Sequence, residues 1–417
     1  MIIQRNKYLS QLLNSRHNGM VKVITGIRRS GKSFLLFNLF KKQLLDDGID
    51  NEHIIEMQFD DFANRKFRNP EVFYNFVKSR LKDGRIYYIL LDEIQLLADF
   101  VDVINGLMHL PNTDIYVTGS NARFLSKDVI TEFRGRGHQI HVSPLSFSEF
   151  LPCFQGSKED ALAAYMKFGG LPPVVLQPND EFKISTLKSL IQETYIIDIL
   201  QRNRVKNNAE FEELLLLLAS GIGGLTNPQK LSNTFTTVKN VKISPATIKD
   251  YIDHFADAFL IEQANRFDVK GKKYIGTPMK FYFSDLGLRN SLLNFRQMEK
   301  THQMENVIYN ELRYRGFNVD VGVVTVNCKD SHSKSTRTQL EVDFVCNKGD
   351  HRLYVQSAFA LPSQEKIEQE TNSLRRIDDG FRKIVVVGDH TIQGHDQHGI
   401  FFINIYDFLL SPTAFLT

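Results

Sequence analysis

Near the N-terminus, Gly26-Ile27-Arg28-Arg29-Ser30-Gly31-Lys32-Ser33 places two glycines ahead of a Lys-Ser pair, the G-x-x-x-x-G-K-[ST] spacing. That spacing suits phosphate chemistry. Gly26 and Gly31 admit backbone torsions and close approaches that a side chain would block. The loop amides and the start of the following helix then turn partial positive charge toward an anion. Lys32 is the candidate to neutralise the β- and γ-phosphates of ATP, and Ser33 offers a hydroxyl to Mg²⁺. Gly26, Arg28, Arg29, Ser30, Gly31, Lys32, Ser33 and Phe34 form the candidate nucleotide-binding set. Sixty residues after Lys32, Asp92 is the candidate metal-supporting carboxylate and Glu93 the candidate general base for the attacking water. An Asp-Glu pair after a strand also serves as an ordinary helix cap.

These side chains need rigid elements behind them. Met20 to Thr25 reads as a short buried strand, and Phe34, Leu35, Leu36, Leu39 and Phe40 give an apolar helical stretch just after the loop. Ile86 to Leu91 is a second apolar strand, ending on Asp92. Asp114 to Asn121 is a third, ending in small polar residues. Asn121 or Ser120 is the candidate γ-phosphate sensor there, with a plain helix cap as the alternative. In Phe133-Arg134-Gly135-Arg136-Gly137-His138, Arg136 and Arg134 are candidates to stabilise charge on the transferred phosphoryl group, in cis or from a neighbouring subunit of a homo-oligomer. A solvated basic turn is the alternative.

Taken in order, these motifs resemble the prokaryotic AAA-superfamily P-loop ATPases that carry a C-terminal domain of unknown function. The resemblance runs through Thr25 to Ser33, Leu91-Asp92-Glu93-Ile94-Gln95 and Thr118-Gly119-Ser120-Asn121. It continues in Pro144-Leu145-Ser146-Phe147-Ser148-Glu149-Phe150, Phe168-Gly169-Gly170-Leu171-Pro172-Pro173 and Lys280-Phe281-Tyr282-Phe283-Ser284-Asp285-Leu286-Gly287-Leu288. It implies an ATP-binding protein with Mg²⁺-dependent hydrolysis coupled to conformational change. A nucleotide-gated switch with slow hydrolysis and an ATP-regulated nuclease are the alternatives.

Beyond the first domain the pattern changes. Residues 155–205 are helical in character, broken at Gly169-Gly170-Leu171-Pro172-Pro173, a hinge or rigid punctuation. From residue 210, Phe211 to Ser220 reads as a helix, and Asn227-Pro228 and Ser244-Pro245 open two more. Strands at Phe259 to Phe267 and Lys273 to Phe283 then suggest a winged helix. Between residues 228 and 282 there are nine Lys or Arg against five Asp or Glu, a net of +4 beside +3 for the whole chain. Lys239, Lys242, Lys249, Lys270, Lys272 and Lys273 are therefore candidates to track DNA phosphates. Protein contact is the alternative, since Asp250, Asp253 and Asp257 line the third helix.

The last segment reads helix (Met298 to Arg315), three strands, helix (Gln364 to Ile377) and strand (Lys383 to Val387). That is a restriction-endonuclease-like layout, and the family's C-terminal domain is described in those terms. By position Glu305 and Asp343 would be two of its metal-binding acids. The strand expected to carry Glu-x-Lys instead reads Gln356-Ser357-Ala358, which argues for a degenerate, binding or assembly role.

The expected architecture is thus an α/β P-loop parallel sheet (1–150), a helical lid or connector (151–205), a winged-helix domain (206–290) and an α+β nuclease-like domain (291–417). Composition agrees with several domains. A chain of 417 residues, 42% apolar and 24% charged, exceeds one core at roughly 100–200 residues per domain. It is not disordered, collagen-like or a disulfide scaffold. No run approaches about 18 apolar residues, so no membrane partner is expected. Three cysteines at non-zinc spacings and the lack of a secretory h-region suit a reduced, cytoplasmic location.

Overall fold

The computed structural model describes residues 2–119, 133, 135–205, 207–329, 335–388 and 393–411. The chain divides into two compact units, Met1–Pro144 with Asp257–Phe259, and Leu145–Ala256 with Leu260–Thr417.

The first unit is built on a five-stranded sheet of β1 (Val21–Thr25), β2 (Ile54–Gln58), β3 (Tyr87–Asp92), β4 (Thr113–Thr118) and β5 (Gly137–His141). The spatial order is β2-β3-β4-β1-β5, and every pairing is parallel. Parallel strands covered on both faces read as unbroken apolar runs. That is the reason β1 and β3 are buried at every position. Val21, Val23, Ile89, Leu91 and Val117 belong to one core with Phe59, Phe73 and Leu107. Lys22 is the polar exception inside β1. Its ammonium pairs with the Asp114 carboxylate of β4, which also accepts the Tyr116 hydroxyl at 2.8 Å. After the loop the chain enters a helix at Lys32–Phe34, widens to a π-helical stretch over Leu35–Phe40 and returns to α-helix over Lys41–Asp46. This is the P-loop α/β fold. Because parallel strands all end on the same side, the loop after β1, the carboxylates after β3 and the tip of β4 come together at one edge.

The second unit opens with a short helix at Phe147–Phe150, followed by helices at Lys158–Phe168, Pro172–Val175, Asp180–Ser189 and Ile197–Asn203. Then come α1 (Asn208–Ser220), α2 (Pro228–Lys239) and α3 (Pro245–Asp257). The last two start as the Asx-Pro and Ser-Pro signals require. Asn227 Oδ1 accepts the Lys230 amide at 2.7 Å, and Ser244 Oγ accepts the Thr247 amide at 3.0 Å. The hairpin of β6 (Ile261–Asp268) and β7 (Lys273–Phe283) follows, then α4 (Leu286–Leu292) and α5 (Lys300–Tyr314). The chain continues through β8 (Asn318–Lys329), β9 (Ser335–Lys348), β10 (His351–Ala358), α6 (Gln364–Arg375), β11 (Arg382–Val387), β12 (Gly394–His395) and β13 (Phe401–Asn404).

The hairpin does not stand apart as a free wing. It joins an eight-stranded mixed sheet of order β12-β13-β11-β10-β9-β8-β6-β7. The join is a parallel pairing of Arg266, Phe267 and Asp268 with Val321, Gly322 and Val323. The backbone edge that a solitary hairpin would leave open is used to extend the sheet.

The Phe-Gly-Gly-Leu-Pro turn is tied to the start of α4. Gly169 has φ +74°, and a Cβ there would lie 2.1 Å from Asp285 Oδ1. Asp285 accepts the amide of Gly170 at 2.7 Å while capping α4 through the Leu288 amide at 3.1 Å.

Candidate functional site

The loop between β1 and its helix is shaped by its glycines. Gly26 has φ +133°, and a Cβ there would fall 2.1 Å from the Val142 carbonyl oxygen. Gly31 sits in the left-handed region at φ 94°, where it starts the helix. Arg29 also has positive φ, 62°, and is exposed, while Arg28 is half-buried. Ser30 is fully buried, and Ser33 and Phe34 are exposed.

Lys32 is 5% exposed and folds back over the loop. Its ammonium donates to the carbonyl oxygens of Gly26 and Ile27, both at 3.0 Å. Burial lowers its pKa to about 8, although the charges of Glu93 and Asp92 pull it back up. A desolvated ammonium in a ring of loop carbonyls is a charge held ready for an anion.

Asp92 closes β3 and is buried. Burial raises its pKa, opposed by hydrogen bonds from the hydroxyls of Thr118 and Ser33. The last residue of β4 is therefore a hub: the Thr118 hydroxyl donates to Asp92 Oδ1 and accepts the Glu93 amide at 3.2 Å. Glu93 has φ 49°, a strained conformation for a residue with a Cβ. One Glu93 oxygen accepts a hydrogen bond from the Gln95 amide.

Gly26, Gly31, Lys32, Ser33, Asp92 and Glu93 are thus brought to one edge of the sheet. Arg136 is not. Its carbonyl accepts the amide of Val21, and Gly137 is in register with Val21, so Arg136 lies at the start of β1 while the loop follows the end. Asn121, Ser120 and Arg134 lie outside the described residues.

Two contributors escaped the sequence reading. Thr118 was visible only as part of a small polar strand end. Arg5 gave no signal at all. It is buried, donating to the Ser30 carbonyl at 3.3 Å and the Ser143 carbonyl at 2.6 Å, and so braces the loop from a distant part of the chain.

The donor set fits a magnesium nucleotide: a loop whose Gly26 admits no Cβ, a buried ammonium, an exposed Ser33 hydroxyl, and a buried carboxylate at the end of β3. Among the described residues no helix is long and apolar enough to cross a membrane.

A family model described as an AAA domain matches residues 18–151, and one described as a domain of unknown function matches residues 159–299. The chain is 34% identical to an uncharacterized protein of Haemophilus influenzae, over 98% of this chain and 99% of that one. It is 28% identical to an uncharacterized protein of Methanocaldococcus jannaschii, over 86% of this chain and 77% of that one. Among solved structures, the Aeropyrum pernix Orc1 protein in complex with DNA aligns over 70% of this chain and 93% of its own. The identity is 11% and the TM-score 0.30, too slight a likeness to bear an argument. The near full-length match places the chain in one family with the Haemophilus influenzae protein, and its residues 18–151 are an AAA domain on the P-loop α/β fold.

Proposed function

We propose that the chain is a Mg²⁺-dependent ATPase whose nucleotide cycle sets the conformation of the domains that follow. The observation that carries this reading is the Lys32 ammonium, buried against the loop carbonyls of Gly26 and Ile27 and within reach of the charges of Glu93 and Asp92, at one edge of a parallel sheet. Ser33 and Asp92 would hold Mg²⁺, which when bound withdraws charge from the phosphates. Lys32 neutralises the phosphate oxygens, and the loop amides orient them. Glu93 accepts a proton from the attacking water, with Gln95 holding its second oxygen. Arg136, at the opposite end of the sheet from its own loop, serves a neighbouring copy in a homo-oligomer.

The rest of the chain is read as a helical connector (151–205), a winged-helix domain (206–290) and a nuclease-like domain (291–417). DNA is the proposed partner of the winged-helix region. Lys239 and Lys249 are committed to Glu213 and Asp253, and Lys280 is buried. Lys242, Lys270, Lys272 and Lys273 are exposed, which leaves a smaller basic surface for phosphates than the +4 count suggests.

One experiment tests the reading: steady-state ATP turnover of wild type, Lys32→Ala and Glu93→Gln, each with and without duplex DNA. Turnover should be lost in both variants, with Glu93→Gln still retaining bound ATP and Lys32→Ala not. Wild-type turnover by Lys32→Ala would sink the assignment. Tight ADP retention with negligible wild-type turnover would favour a nucleotide-gated switch, and stimulation by DNA supports the DNA partner.

A further inference from the structure

Within the second unit a single lysine is surrounded by carboxylates. Lys280 lies on β7 with its side chain 4% exposed. Its ammonium is 2.8 Å from Glu305 Oε1 of α5, 2.7 Å from Glu341 Oε1 and 3.9 Å from Asp343 Oδ1, the last two on β9. The Tyr282 hydroxyl donates to the same Glu305 oxygen at 2.6 Å. Asp343 Oδ2 accepts the Ser357 amide at 2.8 Å.

A metal-dependent nuclease of this layout needs carboxylates with open lone pairs and an ammonium beside the water that attacks. These residues do not fit that need. Gln356 is neutral and engaged, accepting the Asp343 amide at 3.3 Å and facing Glu370 through its own amide at 3.4 Å. Ala358 is buried and brings no charge. The cation among the acids comes from a different strand and points its charge into the carboxylates.

The electrostatics agree. Burial works against the Lys280 ammonium, but Glu305, Asp343 and Glu341 outweigh it and raise its pKa. Burial and then the charge of Glu305 raise the pKa of Asp343, and the Lys280 ammonium works against that rise. A buried charge group persists only when compensated in this way.

We propose that the Lys280 ammonium is the resident cation of this acidic centre, in the place a divalent metal takes in a nuclease, and that it fastens the β6–β7 hairpin to the C-terminal sheet. The comparison with a nuclease rests on the nuclease-like reading of 291–417; the fastening does not.

The test is Mn²⁺ binding to the full chain without nucleotide or DNA, followed by electron paramagnetic resonance. Wild type should show no Mn²⁺ that depends on Asp343. Lys280→Gln should gain one Mn²⁺ per chain, lost again when Asp343→Asn is added. A folded Lys280→Gln that gains none overturns the proposal, as does wild-type binding that Asp343→Asn abolishes. If Lys280→Gln does not fold, wild-type thermal unfolding in millimolar Mn²⁺ decides. An unchanged Tm supports the resident cation, and a rise removed by Asp343→Asn overturns it. Lys280→Arg, which keeps the charge, should fold. A failed ATPase reading leaves these readouts untouched.

Discussion

At Lys32 two demands compete. The phosphates need a cation, and the loop that aims it takes that cation out of water, which lowers its pKa to about 8. Bound phosphate must raise that value again, so the bound state holds the proton more tightly than the free state. Affinity for nucleotide is then complete below the free value and falls as pH rises through about 8, by up to about tenfold per pH unit for one linked proton. Nucleotide titrations from neutral to alkaline pH should show that decline, and Lys32→Arg should flatten it, because a guanidinium stays charged throughout. A flat wild-type profile would mean that Lys32 does not titrate near the phosphates. The carboxylate side has no such freedom. Thr118 holds Asp92 and the Glu93 backbone at once, and Gln95 holds a Glu93 oxygen, so both acids stand in fixed positions before any ligand arrives.

Elements carry the next level of control, and Asp285 links two of them. It accepts amides from the Gly169-Gly170 turn and caps α4, so the break between helices is a clamp. Burial raises its pKa to about 6 against the pull of those amides. Between the unfolded value of 3.8 and about 6 the folded chain holds the extra proton, so this group's contribution to stability falls as pH rises through that window and is constant above it. Asp285→Asn cannot titrate and turns an amide donor toward backbone donors, a loss of about 1–3 kcal/mol at low pH. Urea unfolding of both proteins across that window should show a difference that narrows as pH rises; a constant difference would mean that Asp285 is ionised throughout. The clamp also marks how far the sequence could be read. Gly169-Gly170-Leu171-Pro172-Pro173 announces a turn by local chemistry, and β1 announces itself by an apolar run ending in glycine. Asp285 looks like any helix cap, because its second partner is 115 residues away. The same limit hid the fate of the β6–β7 hairpin. Alternation and the intervening Lys-Gly-Lys turn define two strands, but nothing local says that Phe267 pairs with Gly322. Lys280 likewise reads as one more basic residue until the fold brings Glu305, Glu341 and Asp343 around it.

For the molecule as a whole, the placement of Arg136 bears on assembly. β1 has five residues, and at about 3.3 Å per residue its two ends lie roughly 16 Å apart. An arginine at the first end does not serve the loop at the second within one copy, because its side chain is much shorter than that span. A head-to-tail arrangement, in which one surface of a copy meets a different surface of the next, can present Arg136 to a neighbouring loop. In that arrangement each working site draws its loop from one chain and its arginine from another. Lys32→Ala and Arg136→Ala should each lose turnover alone. Mixed in equal amounts and allowed to exchange, they should recover about a quarter of wild-type activity, since one pairing in four joins an intact loop to an intact arginine. The mass in solution with ATP should exceed that of one chain under the same conditions. Full activity of Arg136→Ala alone would show that the arginine is a solvated turn. Two inactive variants that stay inactive on mixing would place its effect inside a single copy, through the β1–β5 pairing that Arg136 begins.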